Sequence, residues 1–499
     1  MQKSGKLELT WVGKYEEKKI EPRILVEDAS KSYGDTMSEN MLIHGDNLIA
    51  LKALEANFTG KIKCVYIDPP YNTGNAFDKY DDGIEHSIWL SLMYQRLQII
   101  YQLLSEDGTI FVNLDEQEHA YLKVILDEIF GRENFIGDVI WQKRKGGGND
   151  SRYIALDHDY ILAYNKNSAK AQHPKQWTIS QTDEYLKRYK EIDEHGRRYY
   201  WDTLARNGLQ NPILVTISCP DGSQITINSQ KSEETIRKGL EDGTVRFTKT
   251  KAGWTLHHRV YMKDGQVMRS ILNDVGTNKD AGKEIECLFG DQKAFPYPKP
   301  ESLIMRLLEL NTEPGDWVLD SFLGSGTTAA VAHKMGRKWI GIELGDHAYT
   351  HCKVRLDKVI DGEQGGISQR INWTRGGGYK FYELAPSLLV KNPRLPIYQI
   401  NPEYTFEMMC EAICKIEGFK YAPDGVYHGR SSEKRFIYIT KEFVNAEYIQ
   451  SITTTLGEDQ SLLIYGTKIQ SDMILPDNIE VRRIPKDLLE KCDFESEVR

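Results

Sequence analysis

The chain has 499 residues, of which 40% are hydrophobic and 27% charged, with a formal net charge of -9. That length is more than one hydrophobic core organises, so several domains are expected, and the composition excludes a largely disordered chain. The acidic balance disfavours indiscriminate coating of nucleic acid but leaves room for a local basic cleft.

In chain order, residues 1–40 form an N-terminal segment without the basic-then-apolar pattern of a leader. No apolar run approaches the roughly 20 residues of a membrane span, so a cytoplasmic location with no membrane partner is expected. From Met41, "MLIHGDNLIALKALEANFTGKIKCVYIDPP" reads as strand, acidic turn, a helix with Leu48, Leu51 and Leu54 on one face, and a strand at Cys64 to Ile67. A helix over Ile84 to Leu104, the strand "TIFVNLD" and a helix from Glu116 to Phe130, stopped by Gly131, continue the alternation. Strands alternating with helices imply a largely parallel sheet covered on both faces. This first α/β part is assigned to 41–166.

Over 167–290 the texture changes to short strands ("ILVTI", "QITI", "TVRFT") and turns at Asp221-Gly222 and Asp242-Gly243, which marks an insertion. The α/β pattern resumes over 291–384 with "WVLDSFLGSGTTAAVAHKMGRKWIGIEL". A further α/β segment, 385–499, contains the strands "RFIYIT" and "SLLIYG". Seven scattered cysteines show no Cys-x-x-Cys pair or Cys/His cluster, so no metal is expected; Cys410 and Cys414 read as packing on a helix.

Gly324-Ser325-Gly326-Thr327-Thr328-Ala329 fits G-x-G-x-x-A after a strand and before a helix, and Glu343 ends the next strand. The glycines let a ligand approach the backbone, and the acid suits the two hydroxyls of a ribose. Dinucleotides and S-adenosylmethionine use similar architecture, and a tight turn needs glycine as well. Asp320, just before the loop, favours S-adenosylmethionine: a carboxylate attracts a cationic amino-acid tail and repels a pyrophosphate.

The strand ending at Ile67 runs into Asp68-Pro69-Pro70-Tyr71. The prolines restrict the backbone, hold Asp68 extended, and leave carbonyls without a neighbouring N–H. A carboxylate and a carbonyl form a rigid pair of acceptors whose complement is an NH2 group, and Tyr71 adds a face for stacking. The exocyclic amine of adenine meets these demands. Acceptors that pull on both of its hydrogens free the nitrogen lone pair to attack a methyl group, and Asp68 faces the positive charge that develops.

Two stretches carry clustered basic residues. "WQKRKGGGNDSR" places Lys143, Arg144, Lys145 and Arg152 around a glycine-rich loop suited to phosphate contact, although a solvated face would look alike. "YLKRYKEIDEHGRRYYWDTLAR" interleaves Arg197 and Arg198 with Tyr199, Tyr200 and Trp201, which suits nucleic acid or a small aromatic core.

The order Asp68-Pro69-Pro70-Tyr71 before Asp320-Ser321-Phe322-Leu323-Gly324-Ser325-Gly326 resembles the amino-methyltransferases of DNA with permuted, β-class motif order. "DPPYNTGNAFDKYDD", "LDHDYILAYNKN", "DVGTNKDAGKEIECLFG" and "FPYPKPESLIMRLLEL" are similar to the modification (Mod) subunit of type III restriction-modification systems, over about Met41 to Leu384. The resemblance implies a Rossmann-like, S-adenosylmethionine-dependent methyltransferase with a mixed sheet, an inserted target-recognition domain and a C-terminal α/β domain. It implies site-specific methylation of adenine N6 in flipped-out double-stranded DNA, with S-adenosylmethionine as cofactor. It also implies cofactor roles for Asp46 and Asn47, for Lys299 and Pro300 in Tyr297-Pro298-Lys299-Pro300, and for Phe322. On the residues alone Asp46 equally reads as a helix cap, the prolines as strand stops and Phe322 as a core aromatic.

Adenine N6 and cytosine N4 share this pocket chemistry, so N4-cytosine methylation stays open; a dinucleotide-dependent oxidoreductase would leave Asp68 to Tyr71 without a role. The chain has no G-x-x-x-x-G-K-[ST] phosphate loop. A separate ATPase-nuclease subunit and a homodimer are expected from the resemblance alone.

Overall fold

The structure is a computed structural model that describes residues 8–16, 19–72, 85–146, 153–171, 177–179, 183–205, 208, 210–251, 253–263 and 265–494. It divides into two compact units, Gln176–Met268 and the rest of the chain.

The larger unit is built on an 11-stranded sheet. From one edge its order is Leu25–Glu27, Gly378–Leu384, Met41–His44, Lys338–Glu343, Trp317–Asp320, Ile62–Ile67, Leu104–Leu114, His158–Asn165, Phe135–Gln142 and Ile271–Leu272, with Tyr33–Gly34 paired beside Gly378–Leu384. The pairs from Gly378–Leu384 through Leu104–Leu114 are parallel, while His158–Asn165 runs antiparallel to both neighbours, so the sheet is mixed. The central strands Ile62–Ile67 and Trp317–Asp320 are almost entirely apolar because helices cover the sheet. One helical layer, Asn47–Phe58, His86–Leu103 and His119–Phe130, buries Leu48, Leu51, Leu54, Met93, Leu97, Ile100 and Leu122 against Val65, Ile67, Ile110 and Leu319. Each such side chain contributes about 1.5–3 kcal/mol by leaving water. Gly131, at φ 87°, ends the third helix at the predicted place.

Trp317–Asp320 lies between Ile62–Ile67 and Lys338–Glu343, parallel to both. Asp68 and Asp320, 252 positions apart in the 499-residue chain (320 − 68), therefore follow or end adjacent strands on one sheet edge. The connections diverge to opposite sides here, which is the switch point where open α/β sheets bind ligands.

Within the same unit, the C-terminal segment has its own five-stranded sheet, in which Arg435–Val444, Ser461–Ile469 and Ile479–Arg483 are parallel. The helix Phe406–Ile416 packs Met409, Cys410, Ile413 and Cys414 on it, so both cysteines are core residues.

The smaller unit holds a four-stranded antiparallel sheet (Val245–Thr250, Gly253–Tyr261, Arg198–Thr203, Glu191–Ile192) and the hairpin Ile213–Ser218 with Gln224–Ser229. Leu204, Val215, Ile217, Ile236, Val245 and Leu256 form its core. It is narrower than the expected insertion over 167–290: Ile271–Leu272 already pairs with Phe135–Gln142 in the main sheet, and the helix Asn278–Phe289 belongs to the larger unit.

Candidate active site at the strand ends

A cavity of about 820 Å3 opens at this edge, and its lining includes Asp68, Pro69, Pro70, Tyr71, Lys143, Arg144, Lys299, Asp320, Phe322, Gly324, Ser325, Thr327, Thr328 and Glu343. Residues singled out in both halves of the sequence thus share one space.

On the first-half side the tight Asp-Pro-Pro turn holds Asp68 at the cavity. Tyr71 donates its hydroxyl to Asp68 Oδ1 at 2.9 Å and to Asp159 Oδ2 at 3.3 Å. Burial and the Asp68 charge push the Tyr71 phenol well above its ordinary range, so it remains a donor. The amide of Asn113 reaches Asp68 Oδ1 at 3.3 Å and also contacts the Tyr71 hydroxyl. Lys299 Nζ pairs with the other oxygen, Asp68 Oδ2, and lies 5.3 Å from the Tyr71 ring centroid. The indole N–H of Trp89 donates to the Pro70 carbonyl at 2.8 Å, which fixes the orientation of that peptide.

On the second-half side, Gly326 at φ 82° caps the helix Thr327–Lys334, and a Cβ there would stand 3.2 Å from the Cys352 backbone, so glycine is required. Glu343 braces this loop from beneath by accepting the amides of Gly324 (2.8 Å) and Gly345 (2.9 Å). Asp320, 2% exposed, accepts the Phe322 amide at 2.9 Å. Burial, with the nearby charges of Asp68 and Glu343, pushes its carboxyl up to about 7. No cation among the described residues pairs with it.

Behind the loop lies a buried ion network. Glu301 accepts Lys334 Nζ at 3.0 and 2.8 Å and Arg355 at 2.9 Å, and Arg355 donates to Thr327 Oγ1 at 2.7 Å. Thr327 in turn donates to the Lys299 carbonyl at 3.2 Å, tying the glycine loop to the Pro298-Lys299-Pro300 segment.

Four expected cofactor residues stand off the cavity lining. Asp46 caps its helix through the amides of Leu48 (2.9 Å) and Ile49 (3.1 Å) and pairs with Arg96 at 3.2 Å. Asn47 is buried and donates to the Ser321 carbonyl at 2.7 Å, supporting the turn before the loop. Pro300 precedes the helix Glu301–Asn311, and Gly326 shapes the loop from behind. Among the basic residues, Lys143 pairs with Asp159 at 2.6 Å and Lys145 is exposed, whereas Arg152 lies outside the described residues. In the smaller unit Arg197 is held by Asp193 at 2.8 Å and lies 4.3 Å from the Tyr261 ring, while Arg198 is exposed. Tyr199 is a core aromatic there, and Arg246 stacks 4.1 Å from the Trp201 ring centroid.

Sequence reasoning missed Asn113, Asp115, Asp159, Phe295 and His347. Asn113 was within reach of it: Ile67 and Val112 are register partners, so the residue after Val112 stands beside Asp68. Asp159 sits opposite Trp141 across an antiparallel pair that periodicity does not reveal.

The donor set fits S-adenosylmethionine: a buried acid lacking a cation, a second acid beneath a glycine loop, and a cavity large enough for a nucleoside with an amino-acid tail. Among the described residues, no helix is long and apolar enough to cross a membrane.

Comparison with known proteins agrees with this geometry. A family model described as DNA methylase matches residues 62–353. The "Probable type III restriction-modification enzyme HindVI Mod subunit" of Haemophilus influenzae is 35% identical over 408 residues, covering 70% of this chain and 54% of that protein. The type III StyLTI Mod subunit of Salmonella typhimurium is 33% identical over 328 residues, covering 58% of this chain and 49% of its own. Among solved structures, the PvuII DNA methyltransferase (cytosine-N4-specific) aligns with 71% of this chain and 97% of its own at 17% identity and a TM-score of 0.35, too low a likeness to carry an argument. The chain spans about half the length of these two curated relatives. The match over 62–353, more than half of the residues, makes this chain a member of the DNA methylase family.

Proposed function

We propose that the chain transfers a methyl group from S-adenosylmethionine to N6 of an adenine flipped out of double-stranded DNA, as the modification subunit of a type III-like restriction-modification system. The observation that carries this reading is the adjacency of Asp68 and Asp320 on neighbouring parallel strand ends in one cavity.

When bound, S-adenosylmethionine supplies a methyl group on a positively charged sulfur. Asp320 faces the cationic tail, Glu343 and the glycine loop hold the ribose side, and Phe322 packs beside them. Asp68 and a backbone carbonyl of the Pro69-Pro70 turn accept the two hydrogens of the target amine. Tyr71, fixed by its hydroxyl, offers its ring to the base, and stacking with the two hydrogen bonds offsets a flipping cost of a few kcal/mol. In-line attack by the nitrogen would form the N–C bond as the carbon–sulfur bond breaks, its electron pair returning to sulfur. The preorganised Asp68 carboxylate would stabilise the positive charge that grows on nitrogen, and the surplus N–H proton would leave past Asp68 to solvent.

Lys143 and Arg144, which line the cavity, serve with Lys145 as phosphate contacts, a role the sequence extends to Arg152, and the unit Gln176–Met268, with Arg197 and Arg198, serves as the reader of sequence. Asp46, Asn47, Pro300 and Gly326 support the cofactor site from behind its lining. The reading extends to a cytoplasmic protein that forms a homodimer and works with a separate ATPase-nuclease subunit; what supports a partner is that the relatives are named subunits of type III restriction-modification enzymes.

Incubation with methyl-labelled S-adenosylmethionine and DNA, followed by nucleoside analysis, tests the reading. N6-methyladenine is expected. N4-methylcytosine would move the same chemistry to the other base, and no incorporation would end the proposal.

A further inference from the structure

The acid expected to grip an amino group already grips one. Lys299 Nζ pairs with Asp68 Oδ2, with only 10% and 23% of the two side chains exposed, and it stands beside the Tyr71 ring. Its N–H donors thus point at the carboxylate beside the aromatic face where the target amine would dock. An ammonium in that place excludes the amine sterically. It also neutralises the charge with which Asp68 would stabilise positive nitrogen, so methyl transfer requires Lys299 to leave.

The backbone is poorly suited to provide that movement. Lys299 is flanked by Pro298 and Pro300, and its carbonyl receives the Thr327 hydroxyl at 3.2 Å. The flexible four-carbon stem can provide it. Of the other acids that line the cavity, Asp159 holds Lys143 at 2.6 Å, Glu343 accepts the amides of Gly324 and Gly345, Asp115 accepts the Gln117 amide at 3.0 Å, and Asp320 is the seat proposed for the ammonium of the cofactor.

Resting on the methyltransferase reading above, we propose that Lys299 occupies the amine seat of the empty enzyme and exchanges Asp68 for the α-carboxylate of the cofactor, so that cofactor binding opens the seat to the target base. Sequential binding, cofactor before flipped base, follows from this exchange.

The test uses a DNA duplex carrying 2-aminopurine in place of the target adenine, whose position is first mapped by sequencing DNA modified by this chain. Its fluorescence reports flipping without catalysis. In the wild-type protein S-adenosylhomocysteine, which retains the carboxylate, should raise the flipping equilibrium about tenfold or more, the scale of one charge-assisted hydrogen bond. Methylthioadenosine, which lacks the carboxylate, should leave it unchanged at concentrations shown by calorimetry to saturate the site. Lys299→Met and Lys299→Gln should flip the base without any cofactor.

Equal flipping with and without S-adenosylhomocysteine, an equal effect of methylthioadenosine, or folded Lys299 variants that still need cofactor would each overturn the proposal. The methylthioadenosine arm uses wild-type protein, so an equal effect there overturns the proposal even if the variants fail to fold, and decarboxylated S-adenosylhomocysteine, which keeps the ammonium, should likewise leave flipping unchanged. Failure of the wild type to methylate DNA would remove the underlying reading instead, whereas methylation with cofactor-independent flipping removes only the exchange.

Discussion

Two carboxylates on neighbouring strand ends are treated in opposite ways. Asp68 is partly open to the cavity and surrounded by donors, with Lys299 on one oxygen and Tyr71 and Asn113 on the other. Asp320 is buried, receives a backbone amide and the Thr328 hydroxyl, and sits close to two further acids. The first acid is supplied with a cation and the second, among the described residues, has none, which is what supports the proposal that the second holds the cation of the cofactor. On the proposed reading this contrast separates an amine seat from a cofactor seat at the ends of adjacent strands.

The largest expected effect removes the support common to both seats. Glu301→Ala leaves the buried Lys334 with Glu363 and the buried Arg355 with Glu284 at 3.9 Å, and should cost about 3 kcal/mol of stability, the lower end for a broken buried ion pair, read from denaturant unfolding. A loss below about 1 kcal/mol would mean that the network contributes little.

Asp68→Ala breaks one side of the comparison alone. Methyl transfer should fall about 10²-fold or more while calorimetric binding of S-adenosylhomocysteine persists. Loss of cofactor binding with this change would merge the two seats.

Asp320 sharpens the other side through pH. Its carboxyl, raised to about 7, is protonated below that pH in the ligand-free protein and must ionise to hold a cation. Affinity for the ammonium-bearing S-adenosylhomocysteine should therefore rise with pH through 7, by about tenfold from pH 6 to pH 8, and level off above. Asp320→Asn should flatten this dependence; a variant as steep as the wild type would assign the titration elsewhere. The smallest effect belongs to exposed Lys145: Lys145→Ala should reduce the slope of log affinity for DNA against log salt by about one.

Local pattern made the elements legible. Leu48, Leu51 and Leu54 announced a helix, Gly131 its neighbour's end, and Ile62–Ile67 a buried strand. The adjacency of Ile62–Ile67 and Trp317–Asp320 was not, because strand pairing across more than 200 residues leaves no periodic trace; only the resemblance to a permuted family pointed to it. The site was legible where backbone chemistry is unusual, at Asp68-Pro69-Pro70-Tyr71 and the glycine loop. It was illegible where an ordinary side chain acquires a role from its neighbour across the sheet, as Asn113 and Asp159 do. Asp46 shows a limit of carrying roles by position: its oxygens cap a helix and meet Arg96, so it supports the site from outside the lining. Arg197 is paired with Asp193, a partner that the run of basic residues does not reveal.

A crystal structure with S-adenosylmethionine bound tests the separation of seats most directly. Its ammonium is expected at Asp320, its ribose over Glu343, and its methyl carbon facing the space between Asp68 and the Tyr71 ring. A cofactor bound with its methyl group turned away from Asp68 and Tyr71 would contradict this arrangement.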